Sequence, residues 1–153
     1  MQYFTATAAF ILLLANSSLL RAQETHNLLG RCQDNSHYAE GFSETNLAKS
    51  NFYCDSASLT FSPDGQNILF RFFLSNSVHS PIFSFQGSVL PDQMHTTVDK
   101  AWFPDGSEVV PNVGVCQVFF AGKEISGLFC FASSDVRGIR SVMNVAFDAF
   151  PNQ

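Results

Sequence analysis

The sequence has few basic residues, with eight Lys and Arg against thirteen Asp and Glu, and a formal net charge of −5 at pH 7. Loss of the N-terminal leader discussed below would remove Arg21 and take the net charge to −6. The seven remaining basic residues are scattered. Nonspecific capture of nucleic acid or anionic lipid needs clustered Lys and Arg, so the acidic composition argues against this class of function. The charge does not argue against a compact site that recognises a single nucleotide of RNA.

The sequence also lacks the motifs that mark several enzyme classes. It contains neither a Gly-x-Ser-x-Gly nucleophile elbow nor a Walker-type phosphate loop. It has no internal repeat, and no second apolar run that approaches the roughly 20 residues of a membrane-spanning helix. We therefore expect no membrane attachment once the leader is removed, and no cofactor is indicated.

The first 22 residues have the pattern of a secretory signal peptide. An apolar run, Ala8–Ala15, is too short to span a bilayer, and the small residue Ala22 provides a cleavage position. The expected organisation is a signal peptide over residues 1–22, followed by a single secreted domain over residues 23–153. Such a protein would be extracellular, or delivered into the tissue or cells of a host.

Four cysteines lie after the leader. In a secreted chain an even number of cysteines predicts disulfides, here two, and three connectivities are possible. The candidates are Cys32, Cys54, Cys116 and Cys130. A zinc site built from His26, Cys32 and His37 matches no common ligand spacing, so no metal site is predicted.

Alternating apolar residues and turn signals predict several β-hairpins. Pro-Asp-Gly turns follow Ser62 and Phe103, and "CQVFFAGKEISGLFC" gives two apolar runs around residues 121–124. This third hairpin brings Cys116 near Cys130, so a disulfide between them is plausible, although pairing with Cys32 or Cys54 stays open. Residues 80–92 and 141–150 are expected to form further strands.

Two segments could instead be helical. Residues 62–74 can be interpreted as a helix with Ser62 as N-cap and Pro63 in its first turn, although Gly65 favours the hairpin. Residues 43–49 are expected to form a short helix or a turn capped by Ser43.

The predicted fold class is α+β and β-rich, an antiparallel sheet of hairpins with at most one or two helices, and the alternative is an all-β sandwich or barrel. At least two thirds of the fifteen phenylalanines after the leader are expected in the core.

The order of Tyr53-Cys54, a Ser62-capped segment, "SPIFS" and "QVFFAGKEISGLFCF" resembles small secreted fungal ribonucleases over residues 52–131. It looks closer still to the ribonuclease-like secreted effectors of plant-pathogenic fungi. The resemblance implies a microbial-ribonuclease-like fold. It also implies that the family's catalytic Glu, Arg and His fall on His79, Gln117 and Phe131. Phe131 cannot transfer a proton and Gln117 carries no charge, so these positions would be a vestigial site without nuclease chemistry.

These observations favour a secreted, non-catalytic effector-type virulence protein of a plant-pathogenic fungus that binds a host target. The expected partner is a host protein, with host RNA as a second possibility. One alternative is a diverged secreted ribonuclease or other hydrolase that uses His79 or His95. Another is a secreted β-fold carrier that holds a small apolar ligand among its phenylalanines.

Overall fold

The structure is a computed structural model that describes residues 22–42, 46–75 and 81–151. The expected signal peptide (apart from Ala22), Ser43 and His79 lie outside these ranges. The described residues form eleven β-strands and no α-helix, and no helix in them is long and apolar enough to cross a membrane. The strands are β1 (Glu24–Cys32), β2 (His37–Gly41), β3 (Ala48–Asn51), β4 (Ser56–Phe61), β5 (Asn67–Phe73), β6 (Phe83–Val89), β7 (His95–Trp102), β8 (Glu108–Val109), β9 (Val113–Ala121), β10 (Glu124–Val136) and β11 (Ile139–Ala149).

Eight of these strands close into an antiparallel barrel. Neighbouring strands follow the order β1, β4, β5, β6, β7, β9, β10 and β11, and β11 pairs with β1 to complete the ring. The all-β barrel alternative is therefore confirmed, and the α+β, ribonuclease-like interpretation is wrong. The ribonuclease-like interpretation depended on a helix over residues 62–74, and this helix does not form.

That segment is the turn and second strand of the β4–β5 hairpin, in which Phe61 pairs with Ile68. Gly65 adopts a positive φ of 71°, which an α-helix does not allow. The Ser62 hydroxyl accepts a hydrogen bond from the Asn67 amide at 2.9 Å, and an Asp64 carboxylate oxygen accepts one from the Gln66 amide at 3.0 Å. Turn chemistry therefore outweighs the helical spacing of the apolar residues.

The other two predicted hairpins are also present. The second Pro-Asp-Gly turn joins β7 to β8, where Trp102 pairs with Glu108. In the third, β9 and β10 place Cys116 directly opposite Cys130. The predicted strands over residues 80–92 and 141–150 correspond to β6 and most of β11.

The polar region before Cys54 contains strands that the sequence did not predict. β1 pairs with β4 through Glu24–Leu29 and with β11 through Gly30–Cys32. β2 continues along β11 beyond β1, and β3 pairs only with β2. The expectation of a helix or turn over residues 43–49 fails in its described part, because β3 begins at Ala48.

Side chains from the inner face of each strand fill the barrel, as is usual for eight strands. Gly30 of β1 leaves room for the Phe147 ring of β11, because a Cβ atom at residue 30 would lie 2.5 Å from that ring. The largest fully buried side chains are Phe70, Phe72, Phe85, Phe147, Leu59, Leu128, Met143, Val145, Cys116, Cys130 and Ser36. Ser36 is satisfied, since its hydroxyl donates to the Ala146 carbonyl and accepts from the Ala146 amide, both at 3.1 Å.

The phenylalanines are less buried than expected. Only five of the fifteen after the leader are buried, six are half-buried and four are exposed. The expectation of two thirds in the core is wrong, because a narrow barrel admits only one face of each strand and its interior is soon full. Several aromatic rings are therefore left at the rims and on the outer wall.

All four cysteines are in disulfides, Cys32–Cys54 and Cys116–Cys130. The first connects the end of β1 to the residue two before β4. The second lies inside the barrel, with both residues fully buried. Two disulfides in a chain of this size are typical of proteins that fold in an oxidising, extracellular environment.

Candidate functional site

The positions implied by the ribonuclease resemblance do not form a described site. Gln117 and Phe131 lie on β9 and β10, near each other because Gln117 pairs with Phe129. Their alternation with the buried Cys116 and Cys130 places both on the outer wall of the barrel. His79 lies outside the described residues. Cys32 cannot supply a thiolate to the zinc alternative with His26 and His37, because its sulfur is bonded to Cys54.

His95, the other histidine considered for hydrolysis, is paired with an acid at the start of β7. Its Nδ1 lies 2.5 Å from a carboxylate oxygen of Asp92. Hydrogen bonds from the His95 backbone and side chain lower the pKa of Asp92 to about 2. Within the described ranges, no Ser or Cys side chain is hydrogen-bonded to this pair. The pair therefore closes a turn at the start of β7.

A more distinctive feature is a cavity of about 450 Å³ at one rim of the barrel, which we call the aromatic cavity. It lies between the β2–β3 hairpin and the loop from β7 to β8, next to the first residues of β6. Its volume is within the range of sites that bind small ligands or single side chains. The lining consists of Tyr38, Glu40, Ser50, Asn51, Phe52, Ile82, Phe83, Phe103, Pro104, Asp105 and Ser107.

Four aromatic rings form a connected wall of this cavity. The Tyr38 and Phe103 ring centroids are 5.0 Å apart in an edge-to-face arrangement. Phe103 also contacts Phe83 at 6.4 Å, and Phe83 contacts Phe52 at 4.5 Å. Phe83 is buried while the other three are half-buried. The rings thus present their faces and edges to a groove instead of being sealed in the core.

Two carboxylates lie in the same lining, which contains no Lys, Arg or His. Glu40 accepts hydrogen bonds from the Tyr38 hydroxyl and, at 3.3 Å, from the Ser141 hydroxyl. Asp105 accepts hydrogen bonds from the Ser107 hydroxyl and amide at 2.6 and 2.9 Å, and these lower its pKa below the ordinary value. Aromatic faces together with carboxylates favour a cationic group.

The titration of Tyr38 reports on this environment. Burial, and then the hydrogen bond to Glu40, raise the pKa of Tyr38 from 10.0 to about 12. Because the folded pKa is the higher one, the stability contributed by the neutral phenol is complete below pH 10 and is lost as the pH rises through about 12. In an alkaline titration followed by tyrosinate absorbance, we expect a step near pH 12 that Tyr38→Phe removes. Identical curves for the two proteins would contradict this environment.

Sequence reasoning missed the aromatic cavity for an identifiable reason. Phe103 and Asp105 belong to a predicted turn, but Tyr38 and Glu40 lie in a segment for which the sequence analysis predicted no strand. Their alternation in "HYAEG" is a short strand signal that could have been noticed. No local pattern shows that β2 faces the β7–β8 loop, since these elements are more than 60 residues apart.

Comparison with known proteins identifies the fold and no family. No protein-family model matches the chain, and no curated protein matches it either. Two similar solved structures are of the vaccine antigen transferrin-binding protein B from Haemophilus parasuis. One is a double mutant with a TM-score of 0.51 and 10% identity, and the other is a single mutant with a TM-score of 0.50 and 11% identity. Each match covers 86% of this chain and 26% or 27% of the other, so this chain spans about a quarter of those proteins.

This finding corrects the resemblance to fungal ribonucleases and ribonuclease-like effectors. The two similar solved structures named above are transferrin-binding proteins, and the strands of this chain close into an antiparallel barrel. The resemblance rested on apolar strand residues and on a Ser-capped segment that turned out to be a hairpin. Apolar strands with turn residues between them are common to many β-rich folds, which explains how they suggested the wrong one.

Proposed function

We propose that this is a secreted, non-enzymatic β-barrel protein that binds a partner protein through the aromatic cavity. The observation that carries the proposal is the lining itself, in which four aromatic rings and two carboxylates occur together without any basic residue. Aromatic side chains in partly open pockets are the usual anchoring points of protein interfaces. The two disulfides support an extracellular setting.

The strand next to the cavity supports a protein as the partner. β3 ends the strand order, so among the described residues one of its edges has no neighbouring strand. All four of its residues are exposed, and the last two, Ser50 and Asn51, line the cavity. An extended segment of a partner can hydrogen-bond to such an edge while one of its side chains enters an adjacent pocket.

The charge of the aromatic cavity indicates which type of partner side chain would enter it. Glu40 and Asp105 attract a cation, and the ring faces of Tyr38 and Phe103 stabilise it further. A Lys or Arg on an extended, otherwise apolar partner segment fits both features. The acidic net charge of the protein favours a basic partner for the same reason, by speeding the encounter.

The comparison contributes the fold alone. The similar structures are named for binding transferrin, which is a protein, and we do not transfer that partner at 10% identity. A carrier function would instead use a cavity of about 810 Å³ whose lining includes Leu59, Val118 and Ile125.

Selection of short random peptides, displayed on phage, against the immobilised full chain tests the proposal. We expect enrichment of peptides in which Lys or Arg is flanked by apolar residues. Phe103→Ala should weaken their binding about tenfold or more, as for an interface anchor. Phe119→Ala removes the same ring from the outer wall and should leave binding unchanged. Glu40→Gln should weaken binding and reduce its salt dependence.

Three outcomes would contradict the proposal. Enrichment of peptides without a basic residue would show that the cavity does not select a cationic side chain. Equal binding by Phe103→Ala and the wild type would place the interface elsewhere. Cleavage of RNA by the purified chain would show that the protein is an enzyme.

A further inference from the structure

A second concave region lies on the outer wall of the barrel, across β1, β4 and β5, away from the aromatic cavity. Its volume is about 440 Å³, and we call it the Arg71 groove. None of its lining residues also lines the aromatic cavity. The groove is lined by Gln23, Thr25, Asn27, Leu28, Leu29, Ser56, Ala57, Ser58, Thr60, Arg71 and Phe73.

The β-strand alternation places polar groups on this wall. Along β4, the hydroxyl residues Ser56, Ser58 and Thr60 alternate with Ala57 and Leu59, which face the core. Ser58 pairs directly with Arg71 of β5. Thr25 of β1 pairs with Thr60, and their hydroxyl oxygens are 3.2 Å apart. Arg71 therefore lies among small hydroxyl residues on this wall of the barrel.

Arg71 has an unsatisfied donor. Its Nε is buried and has no hydrogen-bond partner. None of the ion pairs among the described residues involves Arg71, and the groove contains no Asp or Glu. Buried donors in native proteins are almost always satisfied, so a group that is not points to a missing partner such as a bound ion or ligand. In a chain with more acids than bases, a guanidinium that none of these ion pairs includes is available to an external anion.

The chemistry of the lining specifies the anion. The planar guanidinium fork binds carboxylate oxygens in pairs, through two parallel N–H···O bonds. The hydroxyls of Ser58 and Thr60 and the amide of Asn27 can exchange hydrogen bonds with further hydroxyl groups of a ligand. Phe73, two residues from Arg71 on the same face of β5, provides an apolar surface for the rest of the ligand.

We propose that the Arg71 groove binds the carboxylate of a hydroxyl-rich ligand, that is, an acidic sugar. Arg71 would hold the carboxylate, and Ser58, Thr60 and Asn27 would contact the ring hydroxyls. This site is independent of the proposed protein partner, because its residues and charge preference differ from those of the aromatic cavity. The protein would thus recognise an acidic glycan on one wall and a basic protein segment at one rim.

NMR titration of the full chain with glucuronate tests this site. Glucose is the control that lacks the carboxylate, and inorganic phosphate is the control anion that lacks the sugar ring. We expect glucuronate to shift the backbone amides of Ser58, Arg71 and Phe73, with glucose producing shifts at least about tenfold weaker at equal concentration. Arg71→Gln should abolish the effect, and Arg71→Lys, which keeps the charge and loses the fork, should weaken it severalfold. Arg31→Gln removes the same charge from an exposed position of β1 outside the groove and should change nothing.

The proposal is overturned if glucuronate and glucose act equally, if phosphate shifts these amides and glucuronate does not, or if Arg71→Gln and Arg71→Lys both retain wild-type binding. The amide spectrum of each variant shows directly whether the barrel is intact. Since the titration uses no peptide, its failure leaves the aromatic cavity untouched, and failure of the peptide selection leaves this groove untouched.

Discussion

Replacing Phe70 by alanine should lower the free energy of unfolding by about 3–5 kcal/mol. Phe70 is fully buried on β5, between Leu59 of β4 and Phe85 of β6. Its removal takes away a large apolar surface and leaves a void that the hydrogen-bonded strands around it cannot collapse to fill. Domains have a total stability of about 5–15 kcal/mol, so this change consumes a large part of it. Urea unfolding followed by circular dichroism measures the loss.

Phe119→Ala is the matched control for this experiment. Phe119 is also on a barrel strand but faces outward with 43% of its surface exposed. Its replacement should change the unfolding free energy by about 1 kcal/mol or less. Equal losses for the two variants would mean that the barrel interior is not the main source of stability.

Replacing both Cys116 and Cys130 by alanine should lower the free energy of unfolding by about 3 kcal/mol or more. The disulfide closes a segment of 14 residues, and its loss increases the conformational freedom of the unfolded chain. Both residues are fully buried in the core, so alanine also leaves unfilled volume. Denaturant unfolding under non-reducing conditions, with the wild type alongside, measures the difference.

The second disulfide provides the comparison. Cys32–Cys54 closes 22 residues, and the entropic contributions of the two bonds should differ by less than about 1 kcal/mol. The Cys116–Cys130 pair should therefore be the more costly one to remove, because of its place inside the barrel. A larger loss on removing Cys32–Cys54 would contradict this ranking. The chain without either disulfide is expected to be largely unfolded.

Both proposed sites depend on this rigid barrel. The aromatic cavity is held by the β2–β3 hairpin, which is an addition to β11, and by the loop from β7 to β8. The Arg71 groove is held by three neighbouring strands of the wall, β1, β4 and β5. Variants that loosen the core should therefore weaken binding at both sites, whereas Phe103→Ala should weaken binding only at the aromatic cavity.

The local turn chemistry of the sequence was sufficient to predict the hairpins. Pro-Asp-Gly at residues 63–65 and 104–106 favours tight turns wherever the segment is placed, and the two apolar runs around residues 121–124 pair because they are adjacent in the chain. The opposition of Cys116 and Cys130 follows from the same hairpin. These features depend on contacts between residues that are close in sequence, and so they can be read from it.

The tertiary structure alone decided that the sheet closes and where its sites lie. Closure depends on β1 pairing with β11, residues about 115 apart, and β1 carries a polar sequence whose strand character comes from those partners. The same closure leaves phenylalanines on the rim, places Tyr38 beside Phe103 and places Arg71 in a groove whose described lining contains no carboxylate. Pairings between distant segments are not encoded in any local pattern, because many registers satisfy the same alternation of apolar and polar residues. The sequence by itself therefore determined the hairpins, and the packing of distant strands determined the barrel and both candidate sites.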